Sequence, residues 1–228
     1  MKITVDKKVF REYPNLKIAF VLVKKINNKS KVKDSVELLS EIEKFTQLTF
    51  NKDTIKTHGL ISPWRTAQEE FGKKAKHYHT SIEKLMQKVI AKKKISGKDA
   101  VTNLARYLAL KHIIPYGIDD YDKLKGELSF KVAEKKEKLT FLKKLEQGDL
   151  YYRDSKSVLG TKLDYWKNKK TIPNSHSSQV LIHFEALPPI SPKKLKEVVK
   201  ETAELVKSFC GGESKSFFLD KKNNFKKI

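Results

Sequence analysis

A single cysteine, Cys210, stands in a chain of 228 residues, so no disulfide can close within it and no cysteine cluster can hold a metal. Arginine is scarce as well, confined to Arg11, Arg65, Arg106 and Arg153. No apolar run approaches the roughly 18 residues of a membrane span, and the opening MKITVDKKVF has too little apolar length for a signal peptide. These absences predict an intracellular, cytoplasmic protein. No glycine-rich phosphate loop, Gly-x-Ser-x-Gly elbow or dinucleotide fingerprint occurs. The six histidines fall into no ligand spacing with an acidic partner, and the nearest approach, His77-x-His79, reads as surface. No metal and no cofactor is expected.

What the chain has in excess is lysine. Lys and Arg number 49 against 27 Asp and Glu, a formal charge of +22, well beyond what solubility needs and suited to a polyanion such as RNA. Because lysine is a point charge without the planar fork of arginine, such a surface favours sequence-independent contact with a phosphate backbone. The same composition also serves as a solubilising surface.

Along the chain, residues 1–6 and 17–26 read as strands, the second apolar enough through Ile18–Val23 to be covered on both faces. Helical spacing runs from Val36 through Leu39, Ile42, Phe45 and Leu48. A helix opens at Ser62 with Pro63 in its first turn and stops at Gly72. Thr80 and Glu83 form a capping-box signature ahead of Ile82, Leu85, Met86, Val89 and Ile90. The run Lys92, Lys93, Lys94 that follows suits the negative end of a helix dipole or a phosphate contact.

The stretch Asp99–Leu124 reads as a helix ending by Ile114, then a sharp turn at Pro115 and Gly117. Thr102, Asn103 and Arg106 interrupt its apolar face with groups that need partners if buried. Beyond residue 126 the period changes to that of strands, and the segment from Pro192 to Phe209, stopped by Gly211, is the most regular helix of the chain. Residues from Glu213 onward read as a frayed, lysine-rich tail. The pattern predicts an α+β fold: one domain over residues 1–212, with the late strands in one sheet layer, the last helix outside it, and a basic tail over 213–228.

In VLIHFEAL, alternation puts Val180, Ile182, Phe184 and Ala186 on one face and Leu181, His183, Glu185 and Leu187 on the other. Glu185 then sits among apolar neighbours and must find a partner or line a cavity, unless the strand is an edge and the carboxylate meets solvent.

Five segments in this order, YPNLKIAFVLVKKINN, PWRTAQEEFG with SIEKLMQKV, VTNLARYLALKHIIPYGIDDYDKL, QGDLYYRD and VLIHFEAL, resemble the B3/B4 tRNA-binding and editing module of the phenylalanyl-tRNA synthetase β subunit in a free-standing form. The resemblance implies a single three-layer α+β domain with tRNA or aminoacyl-tRNA as partner and a pocket that hydrolyses mischarged aminoacyl-tRNA in trans. A non-catalytic RNA-binding module or tRNA chaperone of the same fold is the alternative. Carried over by position, Glu185 contacts the amino acid and Asn103 orients the ester or water. Thr102, Pro115, Gly117, Gly160 and Thr161 line the substrate site, and Lys92, Lys93 and Lys94 contact RNA. Where many synthetase domains have a histidine, this chain has Gly117, which leaves the amino acid open. The expectation is that the Asn103 helix faces Glu185 and that both line one pocket.

Overall fold

The computed structural model describes residues 1–69, 80–134, 137–140, 143–145, 147–161 and 166–228. The chain begins β1 (Lys2–Val5), α1 (Lys7–Glu12), β2 (Lys17–Lys24), α2 (Val32–Thr49), α3 (Lys52–Thr57), α4 (Ser62–Glu69), α5 (Ser81–Ile90) and α6 (Ala100–His112). Strands follow: β3 (Tyr116–Asp120), β4 (Leu128–Val132), β5 (Glu137–Thr140), β6 (Lys143–Leu145), β7 (Leu150–Arg153), β8 (Val158–Thr161), β9 (Trp166–Lys167) and β10 (Val180–Ala186). The chain closes with α7 (Pro192–Cys210), β11 (Glu213–Leu219) and β12 (Phe225–Lys227). The fold is α+β.

Two sheets face one another. One has the order β12-β1-β4-β7-β8-β9 and the other β11-β2-β10-β3, with β5 and β6 as a separate hairpin. The apolar run Ile18–Val23 gives β2 a buried surface on both sides, and β2 accordingly sits inside the four-stranded sheet between β11 and β10. One side of that sheet carries Ile18, Phe20, Leu22, Leu181, Phe217 and Leu219, which pack with Ile3, Phe130, Leu150 and Tyr152 of the six-stranded sheet. The other side carries Ala19, Val21, Val23, Val180, Ile182 and Phe184 and is covered by Val101, Leu104 and Leu108 of α6 and Leu195, Val198 and Val206 of α7. Outside α6 lies a further helical cluster, Leu39 from α2 and Ile82, Leu85, Met86 and Val89 from α5 against Ala109 and Leu110.

Local rules explain the ends of the central elements. Thr80 Oγ1 accepts from the Glu83 amide to start α5, while the Glu83 carboxylate, buried, takes Arg65 at 2.7 Å instead of closing the capping box. Asp99 accepts from the Thr102 amide at 3.0 Å to start α6, and Ile113, in the left-handed region at φ 47°, stops it.

Three expectations are corrected. The late strands do not form one layer, because β10 pairs with β2 and β3 in the other sheet. Gly117 is not in a turn; it lies within β3 and pairs with His183. Residues beyond Glu213 are not a frayed tail, since β11 pairs along all of β2 from Lys24 to Ile18 and β12 pairs with β1. The helical run from Val36 to Leu48 lies in α2, with Phe45 and Leu48 58% and 90% exposed on its outer side. The end of the helix that opens at Ser62 lies outside the described residues, as do His77 and His79.

Candidate functional site: a basic cleft at the edge of the four-stranded sheet

β3 is the edge strand of its sheet, and a cleft of about 600 Å³ runs along it. Four elements build the walls: Ser81, Lys84, Leu85 and Lys88 from α5, Thr102 and Arg106 from α6, Tyr116 and Ile118 from β3, and Trp166 and Lys167 from β9. Lys94, Ile95 and Ser96 form one rim and Lys169 and Ile172 another. Among the described residues five lysines and one arginine therefore line it without a carboxylate, and Trp166 and Tyr116 offer aromatic surface beside them. A second cleft, of about 500 Å³, lies beyond the C-terminal end of β10; it is lined by Pro14, Pro188, Pro189 and Pro192 and holds none of the expected site residues.

Thr102 lies in the wall of this cleft. It is 5% exposed, and its Oγ1 has no hydrogen-bond partner among the described residues. The amides at the start of α6 are not open donors: Ala100 donates to the Asn28 carbonyl, Val101 to Asn28 Oδ1 and Thr102 to Asp99. Any group in the cleft thus meets the Thr102 hydroxyl and not a free helix terminus.

Asn103, its neighbour, is fully buried and spent elsewhere. Its Oδ1 accepts from the Gly97 amide at 2.6 Å and its Nδ2 donates to Ser35 Oγ at 3.0 Å. Arg106 donates to the Ile95 carbonyl at 2.5 Å, so the two residues together tie down the loop whose Ile95 and Ser96 form the rim. The approach at Gly97 is close: a Cβ there would stand 3.1 Å from Thr102 Cγ2 and 3.3 Å from Arg106 Nη1, so these side chains would have to give by a few tenths of an ångström.

Glu185 does not reach the cleft with them. It lies on the side of β10 that faces the other sheet, 1% exposed, with its Oε1 2.5 Å from His183 Nδ1 and no partner on Oε2 among the described residues. The His183 ring is enclosed by Phe130 and Tyr152, edge to face at 5.3 and 4.8 Å. α6 packs on the opposite side of the same sheet, so Asn103 and Glu185 do not share one pocket. Alternation had put Glu185 and His183 on one face correctly; which sheet would cover that face depends on pairing far along the chain.

The remaining expected residues divide. Pro115 is buried, and its carbonyl accepts from the Glu185 amide at 3.2 Å. Gly160 and Thr161 lie in β8, paired on one side with Tyr152 and Tyr151 and on the other with Lys167 and Trp166. They form an interior strand and not a loop with open amides, and they support β9 from behind. Lys92 and Lys93 are exposed where α5 ends, Lys92 at φ 53°, and Lys94 reaches the cleft.

Sequence reasoning missed Lys88, Trp166, Lys167 and Lys169. Lys167 is the link between cleft and interior: it donates to Asp119 Oδ1 at 2.6 Å and to the Tyr152 hydroxyl, and Tyr152 donates to Asp119 Oδ2 at 2.9 Å. Cys210 is no alternative nucleophile, since burial and the nearby Asp99 push its thiol up to about 11. Among the described residues no three His, Cys, Asp or Glu side chains gather as metal ligands, and no helix is long and apolar enough to cross a membrane.

The B3/4 domain family model matches residues 63–211, about two thirds of the chain and all of the elements that build the cleft. The chain belongs to the B3/4 domain family. Among solved structures, this B3/4 domain is similar to an N-terminal fragment of the phenylalanyl-tRNA synthetase β-subunit from Pyrococcus horikoshii, at 15% identity and a TM-score of 0.42. That likeness covers 93% of this chain and 49% of the other, so the chain spans about half the length of that structure. No curated protein matches in sequence.

Proposed function

We propose that this B3/4 domain binds tRNA and that the cleft along β3 receives the single-stranded 3′ end. The observation that carries the reading is the lining: Lys84, Lys88, Lys94, Arg106, Lys167 and Lys169, with no carboxylate among the described lining residues, beside Trp166 and Tyr116. Cations draw in phosphates, and an aromatic ring can stack a base for about 1–3 kcal/mol without reading its identity. A cleft of about 600 Å³ has the size of a small-ligand site and admits a nucleotide with an appended group, not a duplex. The order of motifs along the chain supports tRNA among RNAs.

A second reading, hydrolysis of an aminoacyl ester in trans, is favoured by Thr102. Its Oγ1 is buried in the cleft wall with no partner among the described residues, a cost that a bound ester or water would relieve. An aminoacyl ester is already activated, so placing a water and offering donors to the developing oxyanion suffices without a protein nucleophile. Lysine ammoniums and the Thr102 hydroxyl are the donors within reach of such a group.

The test is a panel of mischarged aminoacyl-tRNAs incubated with wild type and with Thr102→Val. Hydrolysis above the spontaneous rate by wild type, lost in the variant at equal tRNA binding, supports the deacylase. No substrate hydrolysed, with tRNA still bound, leaves the binding module alone.

A further inference from the structure

Beyond the cleft, lysines concentrate on two loops that the fold fastens together. Residues 24–33 read KKINNKSKVK and residues 92–98 read KKKISGK, five lysines and four with no acidic residue among them. Asn28, 1% exposed, is the fastener. Its Oδ1 accepts from the Val101 amide at 2.9 Å, its Nδ2 donates to Asp99 Oδ1 at 3.1 Å and to the Asn174 carbonyl at 2.9 Å, and its own carbonyl accepts from Ala100. Lys29 follows Asn28 and Lys98 precedes Asp99, so one buried carboxamide holds two exposed lysines at the same corner, the start of α6.

The positive charge at this corner is only partly offset: Asp34, exposed in the first turn of α2, follows Lys33, but no carboxylate follows Lys29 or lies free beside Lys98 among the described residues. Asp99 is buried and caps α6, and Asp120, 4% exposed, is taken by Ser177 Oγ at 2.6 Å and Lys123 at 2.8 Å. Lys25 is paired with Glu213 and Lys31 donates to the Ser208 carbonyl, whereas Lys29, Lys33 and Lys98 form no ion pair among the described residues. Ile26 and Ile95, the large apolar residues of the two loops, are buried. The corner thus presents point charges without the apolar anchors of a protein interface. From it, Lys94, Ile95 and Ser96 lead straight into the cleft rim.

We infer that the nucleic acid whose end occupies the cleft runs its phosphodiester backbone over this corner, with Lys98 and Lys29 each neutralising a phosphate outside the cleft. This rests on the cleft reading, and the footprint it describes is longer than the cleft. A ligand confined to the cleft does not feel the corner; one that continues past Ser96 does.

The experiment compares tRNA with a four-nucleotide single strand of the tRNA 3′ end, each titrated against the full chain from low to physiological salt. The variants are Lys29→Glu/Lys98→Glu and its neutral counterpart Lys29→Gln/Lys98→Gln. With two phosphate contacts removed, the slope of log K against log salt for tRNA shrinks by roughly 1.4–1.8. Affinity for tRNA at low salt falls tenfold or more, the neutral pair falls less, and the tetranucleotide is unaffected. Unchanged tRNA affinity and slope overturns the inference, as does an equal loss for both probes. The cleft is judged separately by Lys88→Glu/Lys94→Glu: if that variant weakens neither probe, the cleft reading fails, whatever the corner does.

Discussion

Lys167 and Asp119 meet at 2.6 Å across the junction of the two sheets, one from β9 and the other from β3. Asp119 is fully buried and Lys167 is 16% exposed toward the cleft, with the Tyr152 hydroxyl bonded to both. The pair fixes β9, and with it Trp166, against the edge strand. Asp119→Ala leaves an ammonium without its counter-charge, which for a buried pair costs about 3–5 kcal/mol. Lys167 can turn into the cleft, so a loss near the lower end, about 3 kcal/mol, is expected from urea unfolding.

Thr102→Val has the opposite sign. The hydroxyl it removes has no partner among the described residues, and an unsatisfied buried polar group carries a penalty of about 1–3 kcal/mol. The variant is expected to be more stable by about 1 kcal/mol and less active on an aminoacyl ester. A variant that loses both stability and activity contradicts the idea that this hydroxyl awaits a ligand.

Asn103→Ala is predicted to act through the rim. It forfeits the bonds to Gly97 and Ser35, about 1 kcal/mol each, and leaves the part-buried Gly97 amide to water, so about 2 kcal/mol in all. Its oligonucleotide affinity falls with the rim disordered. Retention of that affinity at full stability would show that the loop stands without Asn103.

Acid loosens the contact between α6 and α7. His112 Nε2 lies 2.8 Å from Glu201 Oε2, and Lys111 takes the other oxygen at 2.5 Å. Burial lowers the His112 pKa from 6.5, outweighing the upward pull of Glu201. Burial alone would raise Glu201, but the hydrogen bonds from Lys111 and His112 prevail and hold it below 4.5. Because folded His112 takes up a proton less readily than the unfolded chain does, its contribution is full above pH 6.5 and declines as pH falls from there. Glu201 adds a second decline as pH falls from 4.5 through its lower folded value. The melting temperature should therefore drop between pH 7 and 5.5 in wild type and drop less in His112→Gln, where His58, also lowered by burial, leaves a residual slope.

Much of the fold was legible where the signal is local. The apolar run of β2, the stripe Ile82–Val89 of α5 and the Pro192–Phe209 face of α7 each became the element their spacing predicts, because periodicity reports which side meets a core. It does not report which core. Glu185 was correctly placed among apolar neighbours, yet its separation from Asn103 follows from the pairing of β10 with β2, residues some 160 apart in sequence. Lys88, Trp166 and Lys169 each look like ordinary surface positions, and only the convergence of α5, α6, β3 and β9 makes them one cleft. The strands β11 and β12 were hidden by their lysines, which lie on exposed positions of edge strands.

The central claim, that this cleft takes a nucleic-acid end, is tested most directly by fluorescence. The chain has two tryptophans, Trp64, 2% exposed in the core, and Trp166, half-buried in the cleft. Stacking of a base on Trp166 predicts saturable quenching by the tRNA 3′-end tetranucleotide at low salt, weakened by added salt and absent in Trp166→Phe. Equal quenching in that variant, or none in wild type while tRNA still binds, would contradict it.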